Sequence, residues 1–311
     1  MAKKVSTDVS KDIAVQSNAL VRAIYALPAM DKKLILIAYS QVRKEDKELH
    51  EYIFDRQSIA RALNREKDRN YDWLEQTCSH IFEHHLTFRI PDGGWEKTTW
   101  LSSAKYDPSK GTVSFVIQPR LKDYLLNLKN QFTVVPLDQA LRLSGKYSIR
   151  ILELLLQWKS LEKGGKWTVT FTVQELREMF ELTDRYSSNK ELRRRVIESA
   201  REEINEADIG LTLDVEPIKQ GRSVTGFALR VQTYMRGAPR PIPKPSEEES
   251  EIEALGGEDR QRFMSILAEL KSSQELLPLG GYISSFMRDQ ALQGEAFKRF
   301  QQERRKRRPT G

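Results

Sequence analysis

The sequence predicts an α+β protein in which one module is used twice, followed by a helical C-terminal extension. Three observations predict this. Between residues 15 and 236 the same order of elements occurs twice: long helix, short strand, short helix, second long helix, strand pair. The proline-rich stretch Ala238-Pro239-Arg240-Pro241-Ile242-Pro243-Lys244-Pro245 then ends the second copy, because alternating prolines favour a stiff extended spacer. Beyond the acidic run from Glu247 to Glu253, helical spacing resumes at Phe263, Ile266, Leu267 and Leu270. The expected organisation is an N-terminal arm (1–14), a first module (15–136), a second module (137–237), a Pro-rich and acidic linker (238–257) and a helical extension (258–311).

In the first module the spacing of Leu34, Ile35, Ile37 and Ala38 predicts a helix over Asp31–Val42. A strand follows over Glu51–Phe54, then a short helix over Arg56–Leu63. Tyr71, Leu74, Cys78, Ile81 and Phe82 predict a long helix over Arg69–His85. Strands are expected over Leu86–Ile90, Trp95–Tyr106 and Thr112–Gln118, joined by Pro91-Asp92-Gly93-Gly94 and Asp107-Pro108-Ser109-Lys110-Gly111, both with turn chemistry.

The second module repeats the order. Ser148–Leu161 is an apolar helix and Trp167–Phe171 a strand. Val173–Phe180 is a short helix, with Thr172 at its N-cap and Glu175 three residues on, the pattern of a capping box. Ser188–Glu206 is a long helix, and Ile209–Glu216 and Ser223–Gln232 are strands around Lys219-Gln220-Gly221-Arg222. A short helix, a turn, a longer helix and a two-stranded ribbon make a helix-turn-helix with a β wing. The predicted fold is two winged-helix domains in tandem. In the extension, helices are expected over Asp259–Leu270 and Ile283–Glu303. The terminal run Arg304-Arg305-Lys306-Arg307-Arg308 suits either a solvated tail or a contact with nucleic acid.

Charge and composition narrow the function. The chain has 311 residues and a formal net charge of +7. Residues 1–136 carry net +4, 137–237 net +2 and 238–311 net +1, so a polyanion-binding surface must come from local placement. The single cysteine, Cys78, excludes an internal disulfide and a Cys-rich zinc module, which favours a reducing compartment. No run approaches the roughly 18 apolar residues of a membrane span, and no apolar segment follows the basic N-terminus. A soluble, cytoplasmic protein without membrane contact is expected.

On a helical wheel of about 100° per residue, Leu192, Val196, Ile197, Ala200 and Ile204 share the core arc. Lys190, Glu191, Arg194, Arg195, Glu198 and Glu202 fall outside it, basic residues first. A helix in the major groove reads bases mainly through its N-terminal part, and the Arg fork matches guanine O6 and N7. Lys190 and Arg194 are therefore the leading DNA contacts, with Ser188 and Asn189 at the helix entry. Arg195 lies beside them. Arg193 falls at the edge of the core arc, where it would reach a phosphate or pair with an acidic neighbour. The same pattern also suits a solvated face laced with i,i+4 pairs such as Arg194–Glu198. In the first module, Arg69, Asn70, Trp73, Gln76, Thr77 and His80 are expected on the exposed face. Of these, Arg69, Asn70 and Gln76 are candidate DNA contacts. Lys110, Lys219 and Arg222 sit in turns, where cations add affinity through phosphates without reading sequence.

Several chemistries lack their motifs. Gly145-Lys146-Tyr147 has neither the upstream glycine nor the hydroxyl of a phosphate-binding loop. His80, His84 and His85 have no signalled third metal ligand; capping the helix end is the plainer role. A nicking enzyme would place two histidines around an apolar residue on a strand, with a nucleophilic Tyr, and His84-His85 do not fit. No enzyme activity, cofactor or metal is expected.

The sequence resembles the iteron-binding replication initiators of bacterial plasmids. The resemblance rests on Gln16-Ser17-Asn18-Ala19-Leu20-Val21 with Ala26-Leu27-Pro28-Ala29-Met30-Asp31-Lys32-Lys33-Leu34, on Tyr71 to Ile81, and on Ser144 to Leu155. Its most specific stretch is Val173-Gln174-Glu175-Leu176-Arg177 followed by Tyr186, Leu192, Val196, Ala200, Glu203, Ile204 and Asn205, with the wing Gly221 to Phe227. It covers about residues 15–236 and leaves the C-terminal extension outside. The resemblance implies two winged helices on successive major grooves of repeated double-stranded origin DNA, about 34 Å apart. It implies a monomer that helps open the origin and a homodimer, joined largely through the first domain, that represses its own promoter. It also implies a host replication initiator and a replicative helicase as partners. Two other readings stand beside it: a tandem winged-helix repressor with no role in initiation, and a nicking initiator.

Overall fold

A computed structural model of the chain describes residues 2–4, 8–68, 70–90, 93–186, 188–221, 223–236, 255–272, 296 and 299–303. The first copy runs β1 (Ala2–Lys4), β2 (Ile13–Ser17), α1 (Asn18–Val21), α2 (Ala29–Tyr39), β3 (Glu51–Asp55), α3 (Arg56–Ala62), α4 (Asp72–Glu83), β4 (Leu86–Arg89), β5 (Trp95–Thr98), β6 (Leu101–Asp107), β7 (Thr112–Ile117), α5 (Lys122–Leu125) and β8 (Phe132–Pro136). The second runs α6 (Leu137–Ala140), α7 (Lys146–Gln157), β9 (Lys166–Thr172), α8 (Val173–Met179), α9 (Asn189–Leu192), a π-helical segment (Arg193–Glu198), α10 (Ser199–Glu206), β10 (Leu211–Gln220) and β11 (Ser223–Thr233).

Both copies use one pairing scheme. The strand before the short helix lies antiparallel to the last strand of the wing: β3 to β7 in the first copy, β9 to β11 in the second. Each short helix starts directly from its strand with a side-chain cap. Asp55 accepts from the Ser58 N–H, and Thr172 and Glu175 close the predicted capping box around α8. The alternation of β9 drives Trp167, Val169 and Phe171 inward, and Phe227, Leu229 and Val231 meet them from β11. Gly226 is required where these strands meet, since a Cβ there would lie 2.6 Å from the Phe171 carbonyl oxygen.

Several expectations shift. The predicted helix Asp31–Val42 forms over Ala29–Tyr39, and Arg69–His85 shortens to Asp72–Glu83. The predicted strand Trp95–Tyr106 is two strands, β5 and β6, because the Trp100 indole turns into the core between them. The N-terminal arm supplies a strand, β1, parallel to β3. Strands β2 and β8, far apart in sequence, pair antiparallel from Ile13↔Pro136 to Ser17↔Phe132.

One continuous apolar core runs through both copies, with α7 buried along most of its length between them. The chain divides into two units, 1–243 and 244–311. In the second unit, α11 (Gly257–Ser272) contains the predicted helix Asp259–Leu270. Its Phe263 and Ile266 pack with Ala296 and Phe300 in a small separate core. Residues 299–303 are helical; the rest of the expected helix Ile283–Glu303, and most of the linker, lie outside the described residues.

Candidate nucleic-acid interface

The second helix-turn-helix is held by directional bonds at every joint. Arg177, near the end of α8, donates to the carbonyl oxygens of Leu182, Arg185 and Tyr186 and to Asn189 Oδ1, at 2.7–3.4 Å. The turn is thereby fixed on one guanidinium. The Asn189 side-chain amide donates in turn to the Val224 carbonyl of the wing at 3.0 Å. Asn189 is thus a bracing residue that joins the reading helix (α9, the π segment and α10) to β11. Ser188, the N-cap, accepts from the Glu191 N–H at 3.1 Å. The sequence alone did not single out Arg177. Its signal is an arginine one turn before a helix-turn-helix turn rich in carbonyls without helical partners.

Along this helix the cations divide sharply. Arg193 pairs with Glu198 at 2.9 Å, as its position at the edge of the core arc allowed. Glu198 also accepts from Arg201 at 2.8 Å and is only 9% exposed. The sequence placed Glu198 outside the core arc and offered an Arg194–Glu198 pair; the structure has neither. The π segment is the reason: its wider turn breaks the 3.6-residue period and rotates Glu198 inward. Arg195 stands 3.8 Å from Glu191 and over the Tyr186 ring at 5.7 Å. Lys190, exposed, and Arg194, half-exposed, have no ion pair or hydrogen bond among the described residues. Glu203, near the far end of the helix, accepts from the Ser144 and Gly145 N–H groups and so caps the start of α7. Lys219 is exposed near the tip of the β10–β11 wing, next to the positive-φ Gly221; Arg222 lies outside the described residues.

The contacts predicted in the first helix-turn-helix are placed differently. Asn70 is turned to Asp72 at 2.7 Å, Gln76 is exposed, and Arg69 lies outside the described residues. Lys110, exposed on the β6–β7 turn, stands 3.6 Å from Asp107. Trp73 and Thr77, expected on the exposed face, are 8% and 5% exposed. Thr77 donates to the Trp73 carbonyl, and Trp73 packs into the core beneath the Arg65 guanidinium. The fourfold step Trp73–Thr77 continues the apolar stripe through Leu74 and Ile81, and this favours burial over display. His84 Nδ1 lies 2.7 Å from the His80 carbonyl, at the end of α4.

Two winged helices, one carrying in the first half of its long helix two cations that are unpaired among the described residues, define a tandem winged-helix DNA-binding protein. Residues 13–156 match the family model described as Initiator Replication protein, WH1, and residues 172–231 the one described as Initiator Rep protein, WH2. Together the matches cover about two thirds of the chain, which belongs to this family of replication initiators. A replication initiation protein of Escherichia coli is 23% identical over 230 residues, spanning 72% of this chain and 71% of that protein. The crystal structure of the Pi initiator protein in complex with iteron DNA aligns with a TM-score of 0.60 at 17% identity, covering 72% of this chain and 98% of that one. No helix among the described residues is long and apolar enough to cross a membrane.

Proposed function

We propose that the protein initiates replication of a bacterial plasmid in the cytoplasm by binding direct repeats, iterons, in double-stranded origin DNA. The observation that carries this reading is the pair Lys190 and Arg194, without an ion pair or hydrogen bond among the described residues, on a reading helix whose N-terminus is braced against its wing. A guanidinium so placed reads guanine O6 and N7 bidentately, and the wing lysine Lys219 holds a phosphate. The fold shared with an initiator crystallised on iteron DNA supports the same reading. No covalent chemistry is needed. Binding energy deforms the duplex at easily unstacked A·T-rich steps, and host factors, a replication initiator and a helicase, complete the opening. The monomer acts at the origin, and the homodimer represses the protein's own promoter.

The test is transformation with a plasmid that carries the DNA flanking the gene as its only origin, with the protein supplied in trans. Establishment only when the protein is present is the expected result. Establishment without it would contradict initiation, and promoter repression alone would make the protein a repressor.

A further inference from the structure

Helix α7 carries at its centre an arginine that takes no part in the surface described above. Arg150 is buried. Its Nη1 donates to the carbonyl of Val21, the last residue of α1, at 2.7 Å and its Nη2 to that of Ala23, just after α1, at 2.8 Å, both in the first winged helix. Nη2 also reaches the Met179 carbonyl at 3.3 Å, at the C-terminal end of α8 in the second. The Tyr25 N–H donates to that same carbonyl at 3.2 Å. The guanidinium lies 3.7 Å from the centre of the Tyr25 ring and 5.4 Å from that of Phe180. One side chain thus grips backbone from both domains.

Its neighbours reinforce the grip. Glu153, one turn further along α7, is met by Lys32 Nζ at 2.9 Å, Gln16 Nε2 at 2.5 Å and the Tyr25 hydroxyl at 3.3 Å. At the rim, Arg22–Glu175 at 3.4 Å and Arg89–Glu178 at 2.7 Å again join the first winged helix to α8. Arg150 Nε has no hydrogen-bond partner. Buried charge is a poor source of stability, since packed hydrocarbon often serves as well or better. What it supplies here is direction: a planar fork with fixed acceptors admits one arrangement.

We propose that Arg150 is a positioning residue that sets the phase between the two DNA-reading helices. It fixes α8, and through the Arg177 clamp the reading helix, at one orientation to the first winged helix. The proposal rests on both winged helices engaging one duplex, as the proposed function has it. DNA turns once in about 10–10.5 base pairs, so a two-base-pair insertion rotates one contact zone by about 70° relative to the other. A rigidly phased protein cannot follow that rotation, whereas a loosely coupled one can.

The experiment uses a duplex selected from a random pool by the intact protein and footprinted to locate its contact zones. Dissociation constants are then measured for this duplex and for one with two base pairs inserted between the zones. The wild type should lose at least about 10-fold on insertion, the scale of one lost bidentate base contact. Arg150→Lys, which keeps the charge and loses the fork, should shrink that penalty several-fold. An unchanged ratio, with both affinities lowered alike, would reduce Arg150 to a stabilising residue and overturn the proposal. The double variant Arg22→Ser/Arg89→Ser removes only the rim ties and should shrink the penalty less. If Arg150→Lys does not fold, this variant decides, and an unchanged ratio again overturns the proposal. A single-zone footprint, or no insertion penalty in the wild type, would also overturn it while leaving DNA binding intact. Failure to select any preferred duplex would remove the functional reading itself.

Discussion

The two winged helices share a strand pairing and a helix order, yet they offer a duplex different chemistry. In the second, Lys190, Arg194 and Lys219 have no ion pair or hydrogen bond among the described residues, while Glu191 lies 3.8 Å from Arg195, Glu198 is taken up by two arginines of its own helix and Glu203 by the start of α7. In the first, α4 opens with Asp72 and Glu75, Asn70 is turned to Asp72, and Lys110 stands beside Asp107. The scaffold is repeated and the reading surface is not. On the proposed function, the second copy reads bases and the first supports it.

The comparison can be broken in order of expected effect. The joint between the copies comes first. Lys32→Met leaves the Glu153 carboxylate, 0% exposed, without its cation and should cost about 3–5 kcal/mol in a denaturant titration. Arg89→Ser, which breaks the exposed pair with Glu178, should cost no more than about 1 kcal/mol. Equal losses would mean that the buried pair has no special weight.

Next is a group confined to the first copy. Burial raises the Asp31 carboxyl to about 6, against the opposing pull of His80 and His84. The native state therefore binds more protons than the unfolded chain between about pH 4 and 6. At this site stability grows as pH falls through 6, is complete near 4, and is lost as pH rises, by about 2–3 kcal/mol in all. Asp31→Asn should remove that slope in urea titrations at successive pH values. A wild-type slope that survives the substitution would place its origin elsewhere.

Then come the reading surfaces. Arg194→Ala should cost about 1–3 kcal/mol in specific binding and relax discrimination at one base position, measured on a panel of single-base variants. Gln76→Ala in the first copy should cost less; a larger loss there would reverse the division of labour. The smallest effect is at the wing. Lys219→Ala should weaken all sequences alike and reduce the slope of log K against log salt by about one unit.

Much of this was legible because it is local. Strand-to-helix joints announce themselves through caps, and Thr172 with Glu175 placed one to the residue. Alternation in β9 and the Gly221 turn fixed the second wing. Three features escaped for physical reasons. The β2–β8 pairing joins residues more than a hundred positions apart, which no local period encodes. The π segment breaks the 3.6-residue period in mid-helix, so a regular wheel misplaced Glu198. No local pattern marks Lys32 and Arg150 for burial, and only the tertiary fold brings Glu153 to the one and three backbone carbonyls to the other. Trp73 and Thr77 were misplaced because their fourfold step was taken for a displayed face, whereas it widens the buried stripe of Leu74 and Ile81.

Methylation interference on a selected duplex tests the division of labour most directly, because a methyl on guanine N7 blocks major-groove contact by an arginine fork. Two interference zones about one helical turn apart are predicted, with the stronger one abolished in Arg194→Ala and the weaker one kept. Zones that do not change on removal of Arg194 would contradict the assignment of the second winged helix as the base reader.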